Sequence, residues 1–136
     1  ICFGNPKGAP IIGSKQASSK IKTGGSLGGF FLILLGFRKL CKVLGNSMEP
    51  TLNEGDLIIY KPIHKSNELF SKGSIVVAKN PSNQREIIIK RVNKKNDVEV
   101  ELIGDNSNYS VDSRHFGAIK IDEVIGLVEQ IIPNES

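Results

Sequence analysis

Two residues of the sequence could act together as a nucleophile and its base, Ser47 and Lys90. Ser47 lies in the polar stretch 45–56, which Gly and Pro residues mark as a loop between two predicted strands. Loops of this kind often carry functional residues. A loop serine becomes a nucleophile only when a base within hydrogen-bond reach activates its hydroxyl.

Lys90 lies on an apolar face of the predicted strand 86–92. The period of two places Lys90 beside Ile88 and Val92. The opposite face then holds Ile87, Ile89 and Arg91. Burying an ammonium without a partner is costly, so such a lysine tends to lose its proton, and a neutral amine is a usable base. The alternative is that Lys90 lies at the end of the strand and extends its amine to water.

Three segments, taken together, decide between these two interpretations of Lys90. Residues 45–56 resemble the nucleophile box of type I signal peptidases and their relatives, with Ser47 at the nucleophile position. Residues 89–92 resemble the general-base box, and residues 104–117 resemble the box near the end of the catalytic domain. The order and spacing of the boxes also fit, and the resemblance extends over residues 43–128.

The resemblance implies a serine-type endopeptidase with a Ser-Lys catalytic dyad. Ser47 would be the nucleophile and Lys90 the general base, in a variant of the triad logic that uses no histidine. Ser110 would hydrogen-bond the Lys90 amine and orient it. Asp112 and Arg114 are spaced to pair with each other or with Arg91 and so to hold their loop against the site.

Other residues of the boxes are predicted to support the dyad. Gly104, Asp105 and Asn106 form a tight turn that positions the site. Met48 is expected in the core, Pro50 in the turn, and Thr51 in a bond to backbone near Ser47. His64 and His115 have no acidic partner placed for a catalytic relay and are expected at the surface. No metal or other cofactor is implied.

The resemblance also implies how a substrate binds. An extended N-terminal peptide of a precursor protein would pair with the two strands that lead to the dyad. The residues expected to contact it are Val43, Leu44, Gly45, Ile87, Ile88 and Ile89. Many bacterial signal peptidases have a serine or threonine two positions before the nucleophile, where its hydroxyl helps to hold the oxyanion, whereas this sequence has Gly45.

The elements that position these residues are predicted to be mainly strands. The expected fold is a compact signal-peptidase-like catalytic β domain without the extra β domain, because only a short hairpin with its turn at residues 93–96 separates Lys90 from Gly104. In this hairpin Val98, Val100 and Leu102 share one face. The predicted strands are residues 40–44, 56–60, 73–78, 86–92, 98–103 and 125–132.

Residues 1–29 differ from the rest of the sequence. They contain seven of the fourteen glycines, four lysines and no acidic residue, which predicts a flexible basic tail followed by a catalytic domain at 30–136. The net charge of +4 lies in this tail, so the body is neutral and nucleic-acid binding is not expected.

The apolar run 30–37 is too short to span a bilayer, so the sequence predicts at most peripheral membrane contact. We therefore expect a cytoplasmic protein, with membrane association as the alternative. Cys2 and Cys41 lie in unlike contexts, and two cysteines make no disulfide framework, which leaves the redox compartment open. Neither cysteine is expected to be catalytic.

The small predicted domain favours the compact relatives that mature the precursor of nickel superoxide dismutase. The alternative is processing of secretory signal peptides, as by a signal peptidase I or an organelle inner-membrane peptidase. A third possibility is a peptide-binding module that keeps the fold without the chemistry. Self-cleaving repressors, which also use Ser and Lys, are disfavoured because no DNA-binding helical domain is predicted.

Overall fold

The computed structural model describes residues 36–64 and 70–135 in full and the backbone of three short N-terminal segments. The remaining tail residues and positions 30–35 of the apolar run lie outside the described residues, so the proposed boundary at residue 29 stays a prediction. Within the described part of the chain, no helix is long and apolar enough to cross a membrane.

The structure is mainly β, as predicted, with one sheet and little helix. The strands are β1 (Cys2–Phe3), β2 (Ile11–Ser14), β3 (Lys22–Thr23), β4 (Lys39–Lys42), β5 (Leu44–Met48), β6 (Leu57–Pro62), β7 (Ile75–Asn80), β8 (Asn83–Lys95), β9 (Glu99–Ile103), β10 (Ile119–Lys120) and β11 (Val124–Ile132). One short helix, α1 (Ser113–Phe116), and the 3-10 turns Ser107–Tyr109 and Ile121–Glu123 complete the described elements.

The sheet runs in the order β1-β4-β6-β11-β7-β8-β2-β5. Strand β9 extends it from β8, and β10 pairs with β9. Pairing is antiparallel along this path except at β2, which lies parallel to both β5 and β8. Strand β3 pairs parallel to β11. One strand from the N-terminal region, β2, therefore lies between the strand that carries Ser47 and the strand that carries Lys90.

Two apolar clusters pack on opposite sides of β8 and confirm its predicted alternation. Ile87 and Ile89 belong to the first cluster, and Ile88 and Val92 to the second. The first cluster also contains Cys41, Val43, Met48, Leu52, Ile58, Tyr60, Ile75, Val77, Val128 and Ile131. The second also contains Phe70, Val76, Ala78, Val100, Leu102, Ile119 and Val124.

The predicted hairpin between β8 and β9 is present, but its turn lies further along the chain. Strand β8 continues to Lys95. The Asn96 side-chain oxygen accepts the N–H groups of Val98 and Glu99, both at 2.8 Å, and so closes the turn. Val98 is 66% exposed because it belongs to this turn. Val98 therefore lies in the turn and not in the strand with Val100 and Leu102, where it was predicted.

The cysteines also depart from the expectation of unrelated contexts. Cys41 is disulfide-bonded, and Cys2 is the other cysteine of the sequence. The two residues lie directly opposite each other where β1 pairs antiparallel with β4. The sequence could not show this link, because a long stretch of tail and body separates two cysteines that the sheet brings together.

Candidate active site

Ser47 lies in strand β5 and not in the predicted loop. The strand continues through Met48 before the chain turns, and the Leu52 N–H then bonds the Met48 carbonyl at 2.9 Å. Ser47 is 3% exposed, and its carbonyl accepts the Asn106 N–H at 2.9 Å. The Ser47 Oγ is buried and has no hydrogen-bond partner among the described residues. A buried hydroxyl without a partner is unusual. The Ser47 hydroxyl makes no hydrogen bond to the Lys90 amine in this structure, so its proton is available for donation to a base.

Lys90 is buried at the middle of β8, with 1% of its surface exposed. The alternative that its amine extends to water is therefore wrong. The Lys90 Nζ donates to the Ser110 Oγ at 2.9 Å, which is the contact predicted for Ser110. Desolvation by burial lowers the pKa of Lys90 to about 8, with Arg114 adding to the shift and Asp112 opposing it.

Asp112 determines which way the Ser110 hydroxyl points. Asp112 is fully buried, and its carboxylate accepts the Ser110 Oγ at 2.7 Å and the Gly104 N–H at 2.7 Å. Burial acts to raise the pKa of Asp112, but hydrogen bonds from Arg114, the Gly104 N–H and Ser110 outweigh burial and hold that pKa well below its usual range. An ionised carboxylate only accepts, so the Ser110 proton points to Asp112 and a Ser110 lone pair faces Lys90.

Helix α1 places Arg114 on Asp112. Asp112 is the N-cap of this helix and accepts the Arg114 N–H. The Arg114 guanidinium adds bonds of 2.9 and 2.5 Å to the same carboxylate and reaches the Gly104 carbonyl at 3.3 Å. Asp112 and Arg114 were predicted to pair with each other or with Arg91, and in the structure they pair with each other.

Arg91, the other residue considered for this pairing, binds Asp105 instead. The Arg91 Nε and one terminal nitrogen lie 2.7 and 2.5 Å from the two Asp105 carboxylate oxygens. The Asp105 N–H in turn donates to the Met48 sulfur at 3.1 Å, and Met48 is fully buried as predicted. Two features of the sequence indicate this pair. Arg91 follows Lys90 and so lies on the other face of the strand, and the acidic residue Asp105 comes just after β9.

The two histidines differ in their surroundings. His64 is exposed, as predicted. His115 is 57% exposed in its side chain, but its Nδ1 lies 3.9 Å from an Asp112 oxygen and 3.4 Å from the Asp112 N–H. His115 is therefore exposed, as predicted, and the one-turn helix α1 brings it back onto its own N-cap.

Gly104 allows the loop to lie close to Ser47 and Ser110. A Cβ at this position would lie 2.0 Å from the Ser110 Oγ and 2.7 Å from the Ser47 carbonyl oxygen. No other residue fits without moving one of these groups. Asn106 completes the predicted turn by donating its side-chain amide to the Asn46 carbonyl at 3.0 Å. The turn thus ties the loop to strand β5 at Ser47 and at the residue before it.

A cleft opens beside Ser47 and Lys90 and contains residues that the sequence did not indicate. Ser47 and Lys90 both line it. Tyr109 and Val111, which belong to the loop, also line the cleft and are each 67% exposed. Their sequence signal was an apolar residue on either side of Ser110. The other lining residues are Gly45, Asn46, Asn80, Ser82, Ile88 and Phe116.

The predicted peptide-binding residues do not all remain available. Val43 is fully buried, and its N–H and carbonyl bond Asp56 and Gly55 at 2.8 and 2.9 Å. Val43 therefore offers no free backbone group, because the loop that follows Ser47 folds back onto it. The remaining edges are paired with strand β2: Leu44 with Ile12 on one side, and Ile87 and Ile88 with Ile11 and Ile12 on the other. Ile89 is fully buried in the first cluster.

Comparison of the sequence with known proteins gives one family match and one relative. The model of the Peptidase S24-like family matches residues 36–128, which include Ser47, Lys90 and the loop from Gly104 to helix α1. The mouse (Mus musculus) protein named mitochondrial inner membrane protease subunit 1 is 31% identical over 104 residues. The aligned region covers 62% of this chain and 63% of that relative, so the chain spans less than two thirds of the relative's length.

Proposed function

Because the chain belongs to the Peptidase S24-like family and is a serine peptidase of signal-peptidase-like type, we propose that it removes an N-terminal leader from a precursor protein with a Ser47–Lys90 dyad. The observation that carries the proposal is the buried Lys90 amine, held 2.9 Å from Ser110 with a pKa lowered to about 8. Enzymes lower the pKa of a catalytic lysine toward 7 to 8 in this way.

The hydrogen bonds around Lys90 leave its lone pair available. The Ser110 proton is committed to Asp112, so Ser110 accepts an N–H from Lys90. The lone pair of the neutral amine then takes the proton of Ser47 as Oγ attacks the scissile carbonyl carbon. The resulting ammonium gives this proton to the leaving amine, and water hydrolyses the acyl-enzyme by the same exchange.

The oxyanion site uses backbone groups in this proposal. Gly45 has no hydroxyl, and its φ of +80° lies in the left-handed region that favours glycine. A serine or threonine at position 45 would therefore strain the strand that carries Ser47. We assign the Ser47 N–H as one donor to the oxyanion, with a water or a second amide completing the pair.

The comparisons favour processing of leader peptides by a signal-peptidase-like or inner-membrane-peptidase-like enzyme over maturation of nickel superoxide dismutase. The similarity to the mouse inner membrane protease subunit supports the first activity and a site of action beside a membrane. Nickel dismutase maturation has the short β8–β9 hairpin in its favour and remains the second candidate.

The dyad is tested by substitution in the full chain. Ser47→Ala and Lys90→Met should each reduce cleavage of a signal-peptide-bearing precursor to background, at least about 1000-fold below the parent. The matched controls are the exposed residues Ser107→Ala and Lys120→Met, which should cleave like the parent. Full activity in either dyad variant would overturn the assignment.

The substrate class is tested with two precursors in parallel, followed by sequencing of the new N-termini. Cleavage of a secretory or intermembrane-space precursor at the end of its leader supports the main proposal. Cleavage of only the nickel dismutase precursor would replace it with the second candidate. If neither precursor is cleaved, yet both bind with equal affinity to the parent and to Ser47→Ala, the protein is a binding module and the proposal fails.

A further inference from the structure

We propose that the N-terminal segment Ile11–Ser14 is an internal inhibitor that occupies the peptide-binding groove of the enzyme. This inference builds on the proposed function, because it takes the gap between β5 and β8 as the groove. Strand β2 (Ile11–Ser14) fills that gap and is paired on both of its edges. A strand so placed competes with any substrate that binds as an added strand.

The register brings the segment directly alongside the dyad. On one edge Ile11 and Ile12 pair with Ile87 and Ile88, so that β2 runs toward Lys90 in the same direction as β8. On the other edge Ser14 pairs with Met48, the residue after the nucleophile. The segment therefore ends beside Ser47, where the reacting part of a substrate would have to lie.

The state of the nucleophile agrees with an occupied groove. Ser47 is 3% exposed, and its Oγ has no hydrogen-bond partner in the described part of the chain. In this arrangement an incoming peptide cannot pair with the edges of β5 and β8 that face the gap until β2 leaves, because β2 already pairs with both edges. The cleft beside Tyr109 and Val111 stays open and would admit only the part of a substrate that lies outside this groove.

A covalent tether holds the inhibitor close. Strand β1 pairs with β4, where the disulfide of Cys41 ties the start of the chain to the sheet. One residue, Val43, separates β4 from β5, and seven residues, 4–10, separate β1 from β2. A short connection of this kind gives the segment an effective concentration in the millimolar range, so a weakly bound strand can still occupy the groove.

The test compares full-length variants. In Ile11→Pro/Ile12→Pro, the prolines remove two backbone donors and prevent pairing on either edge. The control, Ser18→Pro/Ser19→Pro, has the same number of prolines outside the strand. For a precursor peptide we expect the KM of the first variant to fall about 10-fold with kcat unchanged, and the KM of the control to equal that of the parent. A synthetic peptide of residues 8–17 should restore the higher KM of the first variant competitively, whereas a scrambled peptide should not.

When the disulfide is removed, we expect a KM between those of the parent and the proline variant. Cys2→Ser should lower the KM less than the proline variant does, because the segment keeps its sequence but loses its anchor. A KM that is equal in the parent, the proline variant and Cys2→Ser would overturn the inhibitor. Loss of residues 1–14 from the parent but not from Ser47→Ala would also overturn it, since the segment would then be a substrate in cis.

Amide hydrogen exchange separates this inference from the proposed activity. The amides of β5 and of residues 87–89 that do not bond β7 should exchange faster in the proline variant, and the 8–17 peptide should protect them again. This pattern supports occupancy of the groove even if no precursor is cleaved, in which case only the proposed function fails. Identical exchange in the parent and the proline variant would refute the occupancy.

Discussion

At the scale of the residue, the proposed role of Lys90 as a base depends on how this side chain keeps a low pKa beside an anion. The Asp112 carboxylate raises the pKa of Lys90, yet burial outweighs this effect and lowers the pKa to about 8. Asp112 does not contact the amine directly, since Ser110 lies between them with bonds of 2.9 and 2.7 Å. The Ser110 hydroxyl is thus oriented by the carboxylate and separates the negative charge of Asp112 from the Lys90 amine.

The first prediction concerns the pH dependence of the rate. The base must be neutral, and an amine is neutral above its pKa, so kcat/KM should rise with pH and level off above a midpoint of about 8. A pH series with a precursor peptide measures this midpoint, with folding followed by circular dichroism at each pH as the control. A rate that stays flat from mildly acidic to strongly alkaline pH would contradict Lys90 as the base.

The second prediction uses the opposite effects of the two charged neighbours of Lys90. Asp112→Asn removes the charge that raises the pKa of Lys90, so the midpoint of the pH profile should move to lower pH. Arg114→Gln removes the charge that lowers it, and the midpoint should move to higher pH. In both variants kcat should also fall, by about 10-fold or more, because Ser110 loses its fixed orientation. Midpoints that move in the same direction would contradict the electrostatic account.

At the scale of the element, the loop from Gly104 to helix α1 holds the site together. It binds β5 through Asn106 and β9 through the bond from the Leu102 N–H to Ser113 Oγ at 2.8 Å. It binds Lys90 of β8 through Ser110. Each of these bonds joins the loop to a strand of the sheet. The position of Lys90 therefore follows from the loop as much as from β8.

The third prediction tests this loop through Gly104→Ala. The added methyl group would lie 2.0 Å from the Ser110 Oγ and 2.7 Å from the Ser47 carbonyl, so either the loop or β5 must move. We expect a loss of about 1–3 kcal/mol in the free energy of unfolding, measured by urea denaturation. We also expect kcat to fall by more than this stability loss would cause, measured where the variant is fully folded. Normal kcat in folded Gly104→Ala would show that the close approach is not needed for catalysis.

At the scale of the whole molecule, the two apolar clusters keep the sheet rigid beneath the site. Tyr60 belongs to the first cluster, is 2% exposed and packs on strand β11 at Gly126. Burial raises the pKa of Tyr60 to about 12, so its phenol stays neutral at the pH values at which Lys90 titrates. The alkaline limb of the rate profile therefore reports the site and not the ionisation of this core residue.

The fourth prediction uses Gly126→Ala as a matched counterpart of the Gly104 variant. A Cβ at position 126 would lie 2.2 Å from the Tyr60 ring, which is a similar clash placed in the core. Gly126→Ala should lose about 1–3 kcal/mol in the free energy of unfolding. Its kcat and pH midpoint should remain those of the parent when the protein is folded. A change in the pH midpoint would mean that core packing, and not the loop, sets the pKa of Lys90.

The strand pattern of residues 36–135 was predictable because apolar alternation is a local property of sequence. This alternation located β8 and the buried side of Lys90, and the three boxes pointed to Ser47 and Ser110. The placement of Ser47 in a strand was missed, because its polar and glycine-rich neighbours are typical of loops, whereas pairing with a distant segment made them a strand.

What the sequence by itself determined is the class of fold, the identity of the candidate dyad and the neighbour of its base. Only the tertiary structure decided the partners of Asp112 and Arg91, the pairing of β1 with β4 that sets Cys2 opposite Cys41, and the position of β2 between β5 and β8. For Asp112 and Arg91, several residues could equally have been the partner on charge or spacing alone. The choice among them depends on which strands the sheet brings side by side, and that follows from packing over the whole chain.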